Sequence, residues 1–175
     1  MEKVKKLINE ANKWFAEGDF SKTIECYDKV IKINPNDGVA YYNKGVALYN
    51  LGYYQQAIDC YDKAISIDPT YENAYNNKGL VLGHLDDFQQ VIECCDKVIK
   101  INPDNIGAYI NKGNALYSLG NYQQAIACYD KAISMNPQYV PTYFNKGIAL
   151  SNLGEYQQAI EYFDKTIEPK YMTKI

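Results

Sequence analysis

The chain has 175 residues, of which 47% are hydrophobic, and its 18 basic and 21 acidic residues leave a net charge of −3. Because the charge balance is mild and no block of like charge stands out, nucleic acid and anionic membranes are not expected partners. All the basic residues are lysines, so the chain lacks arginine, the side chain best suited to bidentate capture of phosphate or carboxylate.

The chain begins with a lysine-rich stretch that could be mistaken for a targeting segment. However, Leu7 and Ile8 are followed at once by Asn9 and Glu10, so no signal-type apolar run forms. No later segment approaches the roughly 18–20 apolar residues that a membrane span requires. The sequence therefore predicts a soluble, cytoplasmic protein.

The chain repeats itself every 34 residues. The repeat is marked by four prolines and four glycines, each 34 residues from the next: Pro35, Pro69, Pro103 and Pro137; Gly45, Gly79, Gly113 and Gly147. Five units follow, at residues 4–37, 38–71, 72–105, 106–139 and 140–173, the last incomplete, and units two and four agree at 24 of 34 positions. We interpret residues 1–175 as a single repeat domain.

Each unit is predicted to form two helices. In unit two, apolar residues at helical spacing predict helices over residues 39–51 and 54–67. Gly52 separates them, and Asp68-Pro69 ends the second because proline cannot continue a helix. Since one amphipathic pair cannot bury its apolar faces alone, the pairs are expected to stack into a solenoid.

The third and fifth units depart from the pattern. In unit three, Asp86 replaces the turn glycine, and aspartate tolerates the left-handed conformation better than most residues. Val91 and Val98 are larger, and Cys95 smaller, than the residues usual there, which indicates volume compensation. In unit five, Thr166 stands where alanine belongs and Pro169 comes early, and no polar capping helix follows.

These features closely resemble the tetratricopeptide repeat (TPR). Unit two carries the family's pattern at Tyr41, Gly45, Leu48, Gly52, Tyr54, Ala57, Tyr61, Ala64 and Pro69, and unit four carries it at Tyr109, Gly113, Leu116, Gly120, Tyr122, Ala125, Tyr129, Ala132 and Pro137. The resemblance covers residues 4 to about 168. It implies an all-α, right-handed α-solenoid of antiparallel helix pairs. It also implies a non-catalytic scaffold that binds proteins or peptides in its concave groove.

Asparagine gives the strongest functional signal. In this family, the groove is lined by positions 2, 5, 6, 9, 12 and 13 of each unit, and position 6 is asparagine in units two to five. The candidate peptide-binding residues are Asn12, Tyr42, Asn43, Tyr49, Asn76, Asn77, Asn111, Asn114, Tyr117, Phe144 and Asn145. An asparagine side chain can pair with both N–H and C=O of a peptide. At a helix spacing of roughly 8–10 Å, each would meet about every third residue of an extended ligand.

A more specific resemblance fails. Family members that bind chaperone tails grip a terminal carboxylate with lysine, arginine and asparagine, but the corresponding places here hold Ile8, Asn12, Asn43, Asn73 and Asn77. Only the two asparagines Asn12 and Asn43 survive and all three cations are missing. The expected ligand is therefore an extended, weakly charged segment and not an acidic tail.

No constellation in the sequence indicates catalysis, a cofactor or a metal. Cys26, Cys60, Cys94 and Cys128 recur at one position, but stacked helices lie roughly 8–10 Å apart, beyond the about 7 Å limit for a disulfide. We interpret them, with Cys95, as small apolar residues in a reducing compartment. His84 is interpreted as a solvated loop residue. The pairs Asp62-Lys63, Asp130-Lys131 and Asp164-Lys165 are interpreted as solvated surface charges.

Two alternatives to a peptide-binding adaptor stay open at this point. In the first, the chain self-associates by stacking its uncapped C-terminal end on a second copy. In the second, the chain is a fragment of a larger enzyme of this family. Light scattering would test the first, and the reading frame beyond Ile175 would test the second.

Overall fold

A computed structural model describes residues 2–167, and over that range the chain forms ten helices and no strand. The helices are α1 (Glu2–Ala16), α2 (Phe20–Ile33), α3 (Gly38–Asn50), α4 (Tyr54–Ile67), α5 (Glu72–His84), α6 (Phe88–Ile101), α7 (Ile106–Ser118), α8 (Tyr122–Met135), α9 (Val140–Asn152) and α10 (Tyr156–Ile167). The all-α prediction is confirmed. The odd-numbered helices are called first helices below and the even-numbered ones second helices. Pro169 lies outside the described residues.

Short polar side chains fix several helix starts. The carboxylates of Asp19, Asp37 and Asp87 and the amide oxygen of Asn105 accept hydrogen bonds from backbone N–H groups three residues ahead. The distances are 3.0, 2.9, 3.2 and 2.8 Å, respectively. Since the first N–H groups of a helix have no partner within it, each cap satisfies a donor that would otherwise be left to water.

The turns inside the pairs require a left-handed residue. Gly18, Gly52, Gly120 and Gly154 have φ between +77° and +82°, where glycine meets no steric penalty. In the third pair Asp86 takes this place with φ +56°, which confirms that an aspartate can substitute there. The turns between pairs differ, because the residue before each proline is extended: φ is −129° at Asn34 and −128° at Asp68.

Glycines in the first helices make room for aromatic rings of the second helices. A Cβ added to Gly45 would lie 2.7 Å from the Tyr61 ring, and one added to Gly113 would lie 2.5 Å from the Tyr129 ring. Gly147 stands in the same relation to Phe163. Tyr61 and Tyr129 are each 1% exposed, so the close approach of the two helices depends on the missing side chain.

The chain divides into two compact units, Met1–Val81 and Leu82–Ile175, and the division falls within α5. These are called the first and second unit from here on, and each 34-residue unit of the sequence is called a repeat. In the first unit, α2 packs against α1 and α3, and α3 packs against α4. In the second unit, α6 to α10 pack in sequence, and α7 also contacts α9. Both units therefore consist of stacked helix pairs, as the 34-residue period predicts.

Ion pairs cross from each second helix to the next first helix. The four pairs are Asp28–Lys44, Asp62–Lys78, Asp96–Lys112 and Asp130–Lys146, each 16 residues apart. The first two have N–O distances of 2.6 Å. Asp62 and Asp130 are exposed, as predicted for surface charges, but each also forms an ion pair that was not predicted. The prediction considered each aspartate with its sequence neighbour, whereas stacking brings it to the lysine of the following repeat.

Candidate functional site

The predicted groove residues lie on the first helices, where we call them the first-helix stripe. In the first unit the stripe comprises Asn12, Tyr42, Asn43, Tyr49, Asn76 and Asn77, and in the second unit Asn111, Asn114, Tyr117, Phe144 and Asn145. Each of these residues is exposed or half-buried, and none is buried. Repetition of the helix pair therefore leaves an accessible, uncharged row of amides and aromatic rings in each unit.

In the first unit, Tyr42 links two neighbouring repeats. Its ring centroid lies 6.0 Å from that of Tyr61 and 5.1 Å from that of Tyr71. The side-chain N–H of Asn77 donates to the Tyr42 hydroxyl oxygen at 3.0 Å. The sixth position of one repeat is thus hydrogen-bonded to the fifth position of the preceding one, and part of Asn77's capacity is already used.

In the second unit, residues of the stripe line one part of an open cavity of about 220 Å³. Its lining consists of Asn114, Tyr117, Ser118, Tyr129, Asn145 and Ile148. The Asn114 side-chain oxygen accepts hydrogen bonds from the Tyr129 hydroxyl at 2.9 Å and from the Asn145 side-chain N–H at 3.0 Å. Since that oxygen is occupied twice, Asn114 offers the cavity its N–H groups. No charged side chain is among the lining residues.

Among the sixth-position asparagines of the stripe, Asn43 and Asn111 keep their full hydrogen-bonding capacity. Within residues 2–167, the side chains of Asn43 and Asn111 make no hydrogen bond, unlike those of Asn77 and Asn145. A free carboxamide offers two donors and an acceptor, which matches the backbone of an extended peptide. The sixth-position asparagines of repeats two to five are therefore not equivalent, although the sequence presents them as equal.

The asparagines at the ninth position, predicted to line the groove, also contact their own second helices. The Asn12 oxygen accepts a hydrogen bond from Tyr27 of α2 at 3.3 Å, and Asn114 accepts one from Tyr129 of α8. Both remain exposed. The signal in the sequence is a tyrosine 15 residues after the asparagine, which reaches back across the pair.

The most buried charge near the stripe was missed by the sequence analysis. The side chain of Lys146 is 8% exposed, and its ammonium donates to Asp130 and to the Tyr162 hydroxyl, the latter at 2.7 Å. Burial alone would lower the pKa of Lys146, but these two hydrogen bonds and the negative charge outweigh it, so the pKa is raised. Recurrence of lysine after the stripe asparagine could have revealed this structural role.

The other candidate groups offer little chemistry. His84 ends α5 and is exposed. The five cysteines are free, and burial raises the pKa of the Cys60 thiol to about 11 and that of Cys95 to about 12, which disfavours the reactive thiolate. Among the described residues, no three His, Cys, Asp or Glu side chains cluster where a metal ion could bind. Over the same range, no helix combines the length and apolar character of a membrane span.

Family models for the tetratricopeptide repeat match most of the chain. One model matches three times, at residues 38–71, 72–105 and 107–139. A second tetratricopeptide-repeat model matches residues 128–161, and a TPR repeat model matches residues 11–52. The chain belongs to the tetratricopeptide-repeat family. Its fold is accordingly the all-α fold of that family, whose members serve as protein-interaction scaffolds.

Solved structures of TPR proteins resemble this one closely. A structure of MamA has a TM-score of 0.91 at 28% identity, with 99% of this chain and 98% of that chain covered. MamA 41-end from Desulfovibrio magneticus RS-1 has a TM-score of 0.89 at 23% identity, with 95% and 94% covered. YrrB, described as a TPR protein with an unusual peptide-binding site, has a TM-score of 0.81 at 21% identity, with 92% and 83% covered.

Proposed function

We propose that this TPR protein is a non-catalytic scaffold whose first-helix stripe binds an extended, weakly charged peptide. The observation that supports this most is the cavity in the second unit, where amides and tyrosines line about 220 Å³ and no charged side chain is present. A neutral lining cannot compensate the desolvation of a charged ligand group, so it favours an uncharged segment. A peptide site is also described in YrrB, which shares this fold.

The asparagines would hold the peptide by its backbone. Asn111 is free to pair with a peptide N–H and C=O, and Asn114 can donate from the wall of the cavity to a carbonyl or side-chain oxygen. In the first unit, Asn43 offers the same free carboxamide. Because backbone groups are common to all peptides, these contacts give affinity with little sequence choice, and the cavity supplies what selectivity there is.

We further propose that the chain carries out no chemistry and acts in the cytoplasm. The related MamA and YrrB structures belong to a scaffold family, and no nucleophile–base pair was found in the sequence. Five free thiols are typical of a reducing compartment. Self-association through α10 is the alternative function.

The experiment is selection of binders from a random peptide library, followed by calorimetric titration of the best peptide. Asn111→Ala should weaken binding about two- to tenfold, because one hydrogen bond contributes about 0.5–1.5 kcal/mol. Asn43→Ala should have an effect of the same size if the peptide lies in the first unit. The side chains of both residues are free, so neither substitution should alter stability.

Asn121→Ala is the matched control. Asn121 is exposed in the turn before α8, and its side chain makes no capping hydrogen bond, so this variant should bind as the parent does. A library that yields no binder, or binders unaffected by Asn43→Ala and Asn111→Ala, would remove the stripe as the site.

A further inference from the structure

Helix α10 exposes apolar side chains whose counterparts on α4, α6 and α8 are buried or half-buried. Ile58, Ile92 and Ile126 occupy one position of α4, α6 and α8 and are 6–9% exposed. Ile160, at the same position of α10, is 52% exposed. Ile167 on the same helix is 67% exposed. The outer face of α10 is therefore an apolar surface of the type that a first helix covers elsewhere in the chain.

The same face of α10 carries an aspartate in a position that is paired elsewhere. Four second helices bear an aspartate there, and each holds the lysine of the following first helix: Asp28–Lys44, Asp62–Lys78, Asp96–Lys112 and Asp130–Lys146. Asp164 is the fifth member of this series. It is exposed, and no lysine of residues 2–167 pairs with it as in the other four cases.

The first helices that meet such an aspartate share a three-residue signature. A small residue lies four positions before the lysine, and another lies three positions after it. The sets are Ala40, Lys44 and Ala47; Ala74, Lys78 and Val81; Ala108, Lys112 and Ala115; and Thr142, Lys146 and Ala149. The small residues are all at most 3% exposed, so this interface has no space for a larger side chain.

We propose that α10 binds an α-helix of another protein that carries this signature, a lysine flanked by small residues four before and three after. The apolar residues of α10 would lose their exposure, and Asp164 would pair with the partner's lysine. In the four internal cases, an aspartate of a second helix pairs with the lysine of this signature. The same charge complementarity is expected between Asp164 and the partner. This surface is separate from the first-helix stripe, so the proposal does not depend on peptide binding.

A second copy of the chain does not present the required helix. In α1, the three signature positions hold Lys6, Glu10 and Lys13. Glu10 would face Asp164 with like charge, which opposes association. Lys6 and Lys13 are exposed, and their long side chains would stand where every internal interface has alanine, threonine or valine. Stacking of α10 on the α1 of a twin is therefore disfavoured by both charge and size.

The test converts α1 into the required helix. The variant Lys6→Ala/Glu10→Lys/Lys13→Ala changes only side chains on the outer face of α1, and circular dichroism checks that it folds. We expect sedimentation of this full-length variant to show a concentration-dependent mass at least twice that of the monomer. Adding Asp164→Lys should abolish the association. Adding Asp59→Lys, at an exposed second-helix aspartate outside the lysine-paired series, should not.

Three results would overturn the proposal. One is that the folded triple variant stays monomeric at all concentrations, since α10 would then not accept the signature. Another is that the unmodified chain already assembles and loses assembly with Asp164→Lys, because the occupant would then be a second copy. The third is that assembly of the triple variant appears only after removal of residues 168–175, since that segment would then be the occupant.

Discussion

At the scale of single residues, two buried threonines show how a hydroxyl can help or harm the fold. The Thr23 hydroxyl donates to the backbone oxygen of Asp19 at 2.9 Å. The Thr142 hydroxyl is buried and has no hydrogen-bond partner within the described residues. Thr142 occupies a position that is alanine in the three preceding repeats. The repeat thus tolerates a polar atom there at a cost in stability.

Thr142→Val should therefore stabilise the chain. Valine keeps the shape of threonine and removes the unsatisfied hydroxyl, so the free energy of unfolding should rise by about 1 kcal/mol. Thr23→Val is the matched control, because it removes a hydroxyl that is hydrogen-bonded and should destabilise by about 1 kcal/mol. Urea unfolding measures both. Equal destabilisation by the two substitutions would show that Thr142 has a partner.

The sequence predicted where the eleven candidate side chains lie but not their hydrogen bonds. The 34-residue period and the family resemblance together placed them on first helices, where each is exposed or half-buried. Neither could show that Asn77 donates to Tyr42 or that Asn145 donates to Asn114, because these bonds join adjacent repeats. A repeat pattern fixes which residues are equivalent, while their hydrogen-bond partners depend on the neighbouring repeat.

At the scale of helices, an ion pair joins each of the first four helix pairs to the next pair. Lys146 is largely buried, whereas the Asp130 carboxylate is 51% exposed. Asp130→Ala should lower the free energy of unfolding by about 1–2 kcal/mol, because it leaves a buried ammonium without its carboxylate. The upper end is limited by solvent screening of the half-exposed carboxylate.

Asp164→Ala is the matched control for that substitution. Asp164 stands at the same position of α10 but has no lysine partner of this kind within residues 2–167, so its loss should change stability by less than about 0.5 kcal/mol. Chemical denaturation of the two variants gives the comparison. Equal effects would mean that the Asp130–Lys146 pair contributes nothing to stacking.

Helix bounds were predictable because their determinants are local. Gly52 and Pro69 end the helices of the second repeat. The observed helices Gly38–Asn50 and Tyr54–Ile67 lie within one residue of the predicted ranges. The lysine–aspartate pairs were not predicted, although the two residue types recur at fixed positions. The two residues of a pair lie 16 positions apart, whereas side chains of one helix meet at three or four positions, so only the stacking of repeats reveals the pairs.

At the scale of the whole molecule, buried thiols make stability depend on alkaline pH. The unfolded chain releases thiol protons near the ordinary pKa of 9.0, whereas burial raises the pKa of Cys60 to about 11 in the folded chain. The unfolded state therefore holds fewer protons above pH 9. From there to about pH 11, this thiol lowers stability by up to about 1.4 kcal/mol per pH unit, and below pH 9 it has no effect.

Urea unfolding at about pH 8 and about pH 10 tests this dependence. Cys60→Ala should be less stable at the lower pH because a side chain is truncated, but its loss of stability between the two pH values should be smaller than that of the parent. The change with pH is the diagnostic quantity. An identical change in both proteins would show that the Cys60 thiol does not titrate differently on unfolding.

Whether the first-helix stripe binds peptide through its free amides is the central question for function. The most direct measurement is a ¹H–¹⁵N correlation spectrum of the asparagine side-chain amides during titration with a library-selected peptide. We expect the Asn111 or Asn43 amide signals, and in the second unit those of Asn114, to shift saturably while those of Asn121 stay fixed. Saturable binding that leaves all the stripe amides unmoved would contradict the account.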